Sequence, residues 1–319
     1  MLVLSRAEVA SLLDPDVLVE ALAAAMIDLS SGEASMPTRV AALVPRTDGL
    51  LGAMPAWLPS ASVLETKLVS VFPRNAGGVP THQAVIVVFD QDTGEPASLM
   101  DGTEITAQRT AAGSALATRL LARADSRRLA VVGTGVQARA HLRYVVRVRE
   151  FEQVVVAGRN PDHARTLAGA VSAELGGAVS VAESIEAAVR GADVVCAATH
   201  AETPVLRRAW LGDGAHVNSV GWTATGSEVD PETVRDAMVV VESRSSALSE
   251  GPGGANDLVW PIRDGVVGPD HVHAEIGEIL AGTRPGRTSA DQLTLYKSVG
   301  VAVQDAAAAG LVLRRARER

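Results

Sequence analysis

Gly133, Gly135 and Ala138 lie in the segment RLAVVGTGVQARAHL and match the spacing G-x-G-x-x-G/A, directly after a strand-like run and directly before a helix-like one. Each small residue meets a separate demand. The first glycine permits the tight turn, the second lets a pyrophosphate approach the backbone, and Ala138 keeps the helix close to the strand. The helix N-terminus then offers free N–H groups and a partial positive charge to the phosphates. A glycine-rich turn alone is a weak signal. Here the context is right on both sides, so dinucleotide binding in a Rossmann-type domain is expected.

The end of the second strand of such a unit discriminates between cofactors, because an acidic residue there binds the ribose 2′-hydroxyl and favours NAD. This chain has Gly158-Arg159-Asn160 instead. No carboxylate repels a 2′-phosphate, and Arg159 can pair with one. NADP(H) is therefore the expected cofactor, with NAD(H) as the alternative; the bland reading is a solvated arginine beginning a helix.

Lys67, in VLETKLVSVFP, shares a strand face with Glu65 and Val69, because strand side chains alternate. From pattern alone it is either an edge charge that solvates itself or a pocket lysine. Arg39, before an apolar strand, and Arg109, on an Ala-rich helix, have the fork geometry to clamp a carboxylate, although single arginines of this kind are commonly surface residues. His82 begins a strand and either donates a proton or is structural. His271-x-His273 lacks an acidic or cysteine partner at metal spacing, so no metal site is expected.

The elements that must hold these residues follow from periodicity. The first ~30 residues read as helices, with Asp14-Pro15 as a cap and first-turn proline. TRVAALVP, GLLGAMP, VLETKLVSVFP and HQAVIVVFD are β-like runs, and Asp92-Thr93-Gly94 reads as a hairpin turn into PASLMDG. This region predicts a mostly antiparallel sheet with helices on one side. An Ala-rich helix follows over residues ~104–123. RLAVVG, QVVVAG, AVSVA, DVVCAAT, AHVNSVG and AMVVVES then alternate with helical segments, the pattern of a parallel sheet covered on both faces. The C-terminal region predicts a helix over His271–Ala281, a turn-rich stretch GTRPGRTSADQ, and a last helix from about Val299 to Leu313.

The chain's 319 residues suit two domains, and 47% hydrophobic with 21% charged residues is a globular profile. A formal net charge of -8 and only 3 Phe, 2 Tyr and 4 Trp weigh against nucleic acid as a partner. No run approaches the ~18–20 apolar residues of a membrane helix. The first residues, MLVLSRAEVASLLD, lack the basic region of a signal peptide, and the single Cys196 excludes an intrachain disulfide. A cytoplasmic protein is expected.

MPTR (Met36–Arg39), ETKLVSVFPRN (Glu65–Asn75), FDQDTGEPASLMDG (Phe89–Gly102), TAQRTAA (Thr106–Ala112), GTGVQA (Gly133–Ala138), the Asn256-Asp257 pair and GRTSADQLTLYKSVGVAVQD (Gly286–Asp305) occur in this order. Through them the chain resembles the ornithine cyclodeaminase/mu-crystallin family over essentially its whole length. The resemblance implies an α/β fold: a Rossmann-type doubly wound parallel sheet, residues 116–297, inserted into an α+β substrate-binding and dimerisation domain, residues 1–115 and 298–319. It implies a homodimer acting on a small amino or imino acid. It places Lys67 and Arg39 toward the substrate and Thr81 and Arg109 beside cofactor and substrate. It implies that Val136, Gln137, Thr199, Val220, Gly221, Ser298 and Val299 contact the dinucleotide.

One departure bears on the reaction. Cyclodeaminases carry an acid/base aspartate two residues after the glycine matching Gly221, and Thr223 stands there in VNSVGWTATGSEVDPE. A threonine hydroxyl is a poor proton acceptor at neutral pH, so Thr223 joins Lys67 and Arg39 as a candidate catalytic position for a different chemistry. NAD(P)H-dependent reduction of an α-imino acid, such as pyrroline- or piperideine-2-carboxylate, comes first. An alanine dehydrogenase-like activity, ornithine cyclodeamination with a displaced Glu228 or Asp230 as base, and non-catalytic NADPH binding are the alternatives. Trp222 either narrows the pocket near the nicotinamide or packs in the core.

Overall fold

A short strand, β1 (Leu2–Leu4), precedes two capped helices in the computed structural model, which describes residues 1–250 and 253–319. Ser5 and Glu8 form a capping box at the start of α1 (Arg6–Leu12). Asp14 accepts from the Asp16 and Val17 amides and Pro15 takes the first helical position of α2 (Pro15–Ser31), which ends on Gly32 at φ 80°. The apolar runs that follow are β2 (Val40–Val44), β3 (Gly49–Leu58), β4 (Val63–Val71) and β5 (His82–Phe89). Asp90 accepts from the Asp92 and Thr93 amides, and Gly94 at φ 75° completes the turn into β6 (Pro96–Asp101). The sheet order is β1-β6-β5-β4-β3-β2, antiparallel except for the β1–β6 pair. β4 is thus an interior strand, and Lys67 is no edge charge: it lies opposite Met54 on β3 and Ile86 on β5.

The Ala-rich helix is α3 (Gly102–Leu121). Alternating elements follow it: β7 (Arg128–Val132), α4 (Val136–Val145), β8 (Gln153–Ala157), α5 (Pro161–Leu175), β9 (Val179–Val181), α6 (Ile185–Val189), β10 (Val194–Ala197), β11 (His216–Ser219), α7 (Pro231–Asp236), β12 (Met238–Val241), α8 (Arg244–Ala247) and α9 (Asn256–Arg263). The helix expected over His271–Ala281 is instead β13 (Val272–Glu275) followed by the short α10 (Ile276–Leu280). Val272, Ala274 and Ile276 are buried at a spacing of two, which is strand periodicity. A further strand, β14 (Thr294–Lys297), was not anticipated. It has four residues, all buried, and so shows no alternation to read.

These strands pair in parallel in the order β13-β12-β14-β11-β10-β7-β8-β9. The order reverses between β7 and β10, the topological switch point where Rossmann-type sheets bind ligands. Gly300, at φ 72°, interrupts the chain before the last helix, α11 (Ala302–Arg317), which therefore begins later than Val299. α11 packs on α2, β3, β4 and β5 and is buried from Ala302 to Leu313. Two compact units result, Met1–Arg109 with Gly300–Arg319, and Thr110–Val299, with the division inside α3. The fold is an α/β, Rossmann-type sheet inserted into an α+β unit.

Candidate active site

In the unit formed by Met1–Arg109 and Gly300–Arg319, α11 delivers Asp305 to the covered face of the antiparallel sheet. Lys67 Nζ donates to Asp305 Oδ2 at 2.5 Å, and Arg109 Nε donates to Asp305 Oδ1 at 3.0 Å. Arg109 Nη1 also donates to Gln304 Oε1 at 3.0 Å. Lys67, Arg109 and Asp305 are all buried. Burial alone would push the Asp305 carboxyl up, but the charges of Arg109 and Lys67 outweigh it and hold the group below the usual range. Burial lowers the Lys67 ammonium, with Asp305 opposing the fall. The two arginines meet at Gly300. Arg39 Nη2 donates to the Gly300 carbonyl at 2.8 Å, and a Cβ on Gly300 would stand 2.8 Å from Arg109 Nη2. Lys67, Arg39 and Arg109 thus form one basic cluster around Asp305 and Gly300. Thr81 sits apart, at the start of β5, with Oγ1 3.0 Å from Nδ1 of the exposed His82.

In the unit Thr110–Val299, the glycine turn joins β7 to α4. Gly133 has φ 126°, and a Cβ there would fall 2.4 Å from the Ala198 carbonyl oxygen after β10. Gly135 is the N-cap of α4 with no side-chain cap, and a Cβ on it would meet nothing within 4 Å. The open space beside Gly135 and the uncapped N–H groups of α4 fit a pyrophosphate. Ala138 is buried, while Val136 is 69% exposed at the same helix end. The Gln137 carbonyl accepts from His141 Nδ1 at 2.7 Å, and Ser114 Oγ donates to His141 Nε2 at 2.8 Å. Burial lowers the His141 pKa to about 4, so the neutral ring latches α3 to α4 behind the turn. After β8, Arg159 is exposed, whereas the Asn160 side-chain oxygen caps α5 by accepting from the Asp162 and His163 amides.

Around the ends of β10, β11 and β14, a carboxylate network missed in the sequence fixes the remaining loops. Buried Glu228 accepts from Thr199 N and Thr199 Oγ1 on one oxygen, at 2.7 and 2.8 Å. Its other oxygen accepts from Ser219 Oγ at 2.7 Å and Gly221 N at 2.9 Å. Lys297 Nζ donates to the Gly221 carbonyl at 2.8 Å and pairs with Asp257 Oδ2 at 2.9 Å. Asp257 Oδ1 accepts from the Glu228 and Val229 amides. A Cβ on Gly221 would stand 2.3 Å from the Thr199 carbonyl oxygen, so glycine is required there. The Val220 amide donates to the Ala197 carbonyl. Ser298 Oγ and Val299 N both donate to Glu242, at 2.6 and 2.8 Å.

Thr223 lines a small cleft with Thr199, Gly221, Trp222, Glu228 and Asn256. Its Oγ1 is buried without a partner among the described residues, and its carbonyl accepts from Asn256 Nδ2 at 3.0 Å. Trp222 Nε1 donates to the Gly254 carbonyl. The substitute bases are committed elsewhere. Glu228 is filled by four donors, and Asp230 caps α7 and accepts from Arg208 N. His271 and His273 donate to the carbonyls of Val234 and Pro285. Among the described residues no cluster of His, Cys, Asp and Glu is placed to hold a metal. One signal marked the missed network: Lys297, like Lys67, is a lysine inside an apolar run.

Comparison with known proteins adds whole-length likeness. Residues 1–319 match the model of the ornithine cyclodeaminase/mu-crystallin family. Ketimine reductase mu-crystallin of Mus musculus is 36% identical over 301 residues, 93% of this chain and 91% of that protein. The structure of Thermococcus litoralis Δ1-pyrroline-2-carboxylate reductase in complex with NADH and L-proline is 39% identical, with a TM-score of 0.95 and coverage of 100% of this chain and 98% of the other. An archaeal alanine dehydrogenase dimer with bound NAD is 32% identical, with a TM-score of 0.92 over 100% and 96% of the two chains. With the motifs, the inserted parallel sheet and the likeness running end to end, the chain belongs to the ornithine cyclodeaminase/mu-crystallin family.

Proposed function

We propose that this protein is an NAD(P)H-dependent reductase of α-imino acids, with a cyclic ketimine carboxylate as the substrate class and NADPH as the preferred reductant. The carrying observation is the loop after β11. It offers a threonine hydroxyl at Thr223, while Glu228, Asp230 and Asp257 are each held by other groups. Cyclodeamination needs a base poised near neutral pH, and imine reduction does not. Mu-crystallin and pyrroline-2-carboxylate reductase relatives support the same reaction class.

When bound, the dinucleotide supplies the hydride. Gly133, Gly135 and the α4 N-terminus hold its pyrophosphate, and Arg159 pairs with a 2′-phosphate. Arg39 anchors the substrate carboxylate. Lys67 donates a proton to the imine nitrogen as hydride reaches carbon, so C=N becomes CH–NH. Asp305 fixes the Lys67 ammonium in place, and Arg109 shares that carboxylate and adds positive charge for an anionic substrate. The test is a panel of cyclic and linear imino acids followed at the reduced-nicotinamide absorbance band, with NADPH and NADH in parallel. Oxidation of NADPH by a cyclic α-imino acid is expected, and silence across the panel contradicts the reading.

The sheet face away from α11 carries Leu51, Trp57 and Val85, exposed by 49%, 38% and 41%. A second copy of the chain is the proposed cover, as in a homodimer, because an apolar sheet face is normally packed. Light scattering tests this: a dimer mass is expected for the unmodified protein and a monomer for Leu51→Glu. No described helix is long and apolar enough to cross a membrane.

A further inference from the structure

We infer that Glu65 is held as a neutral carboxylic acid beside Lys67 and acts through it, as the proton store that recharges Lys67 after each imine reduction. The proposal deepens the reductase reading and rests on it. Glu65 is 1% exposed, and neither of its carboxyl oxygens has a hydrogen-bond partner among the described residues. An ionised carboxylate in that condition is strongly disfavoured, because burial strips its water and nothing replaces it.

The cations that would compensate are already engaged. Lys67 Nζ donates to Asp305, and Arg109 donates to Asp305 and Gln304. The neighbours of Glu65 on the adjoining strands are apolar. Ala56 on β3 and Val88 on β5 lie opposite Glu65, and Met54 and Ile86 lie opposite Lys67. The charged groups facing this pocket are thus Lys67 on β4, Asp305 from α11 and Arg109 from α3. Burial, and then the Asp305 charge, push the Glu65 carboxyl well above the usual range, with Lys67 only partly opposing. With Glu65 neutral, Lys67 and Arg109 stand against the single carboxylate of Asp305, and that trio keeps one net positive charge, to which Arg39 beside it adds a second for an anionic substrate.

Glu65 and Lys67 are two residues apart on one face of a strand, about 7 Å along the backbone, within mutual reach of two long side chains directly or through one water. The proton steps balance. An N–H bond of Lys67 breaks as the imine nitrogen gains its proton, leaving a neutral amine next to Asp305. The Glu65 O–H bond then breaks and a new N–H bond forms on Lys67. Glu65, now ionised, takes a proton from solvent as product leaves. Without Glu65, the buried Lys67 has no acid beside it to return that proton within the turnover.

The test combines infrared spectroscopy with kinetics on the full chain. The unmodified protein should show a protonated-carboxyl C=O band at neutral pH that Glu65→Gln lacks. Glu65→Gln should lose about tenfold or more in kcat, with KM and dinucleotide affinity unchanged, and should regain turnover as a small buffer acid such as imidazolium is added. Should the glutamine variant not fold, Glu65→Met, which matches the apolar surroundings, takes its place. A missing band, or kcat within twofold of the unmodified enzyme across the pH range, overturns the role of Glu65 alone. A band with no imino acid turned over by the unmodified enzyme overturns the reductase reading, and the relay with it.

Discussion

Lys67 and Asp305 stand 238 positions apart in the chain, yet Lys67 Nζ lies 2.5 Å from Asp305 Oδ2 with both side chains buried. Asp305 serves Arg109 with its other oxygen, so one carboxylate is the shared partner of two buried cations. Removing it should therefore cost more than removing either cation. Asp305→Asn should lose about 3–5 kcal/mol of stability, the usual cost of breaking a buried pair. Lys67→Met leaves Asp305 paired with Arg109, so it should lose less while abolishing most turnover and keeping dinucleotide affinity. Urea unfolding, steady-state rates and cofactor titration of both variants check this order. Turnover near the unmodified level in Lys67→Met would remove that lysine from the mechanism.

Gly300 tests whether the two arginines act as a unit. Its φ of 72° disfavours any side chain by about 1–2 kcal/mol, and a Cβ would meet Arg109 Nη2 at 2.8 Å. Gly300→Ala should shift both Arg109 and the Arg39 contact to the Gly300 carbonyl. We expect a rise in substrate KM of about tenfold, equivalent to about 1.4 kcal/mol. Unchanged KM would show that Arg39 holds the substrate independently of Gly300.

Stability should fall in acid because of two buried histidines. Burial lowers His141 to about 4 and His216 to about 3, both below the unfolded value of about 6.5. The unfolded chain thus binds protons first as pH falls. The contribution of each neutral ring is whole above about pH 6.5 and is lost as pH drops toward 4 and 3. Each histidine should account for about 2 kcal/mol between pH 7 and pH 5. Urea midpoints at the two pH values measure it, and His141→Gln should flatten the slope; an unchanged slope would assign the acid sensitivity elsewhere.

What the sequence discloses and what it hides divide along chain distance. Gly133, Gly135 and Ala138 are legible because the turn, the strand and the helix they serve are contiguous. Asp14-Pro15 is legible for the same reason. Lys67 stands out as a charge in an apolar run, but whether it is solvated or paired depends on Asp305, which only the packing of α11 brings near. Lys297 carries the same signal, but it is obscured because β14 is short and follows a turn-rich stretch. Glu228 is visible as a carboxylate near Gly221. Its four donors, from Thr199, Ser219 and Gly221, tie the loops after β10 and β11 together, a set of contacts only the fold assembles.

Cofactor preference rests on Arg159, exposed after β8, with Asn160 spent on capping α5. NADPH should bind more tightly than NADH, and Arg159→Asp should reverse the order, because a carboxylate repels the 2′-phosphate and accepts from the ribose hydroxyl. Fluorescence titration with both dinucleotides measures the two constants. A tenfold preference of the unmodified protein for NADH, about 1.4 kcal/mol, would contradict the reading of Arg159.

Reduction can be set against cyclodeamination in one preparation. The protein is given a cyclic α-imino acid with NADPH, and separately ornithine with catalytic dinucleotide, and both nicotinamide absorbance and amino acid products are followed. Thr223 in a loop whose nearby carboxylates are committed predicts one NADPH oxidised per imino acid reduced, and little proline or ammonia from ornithine. Steady conversion of ornithine to proline without net change in the dinucleotide would contradict it.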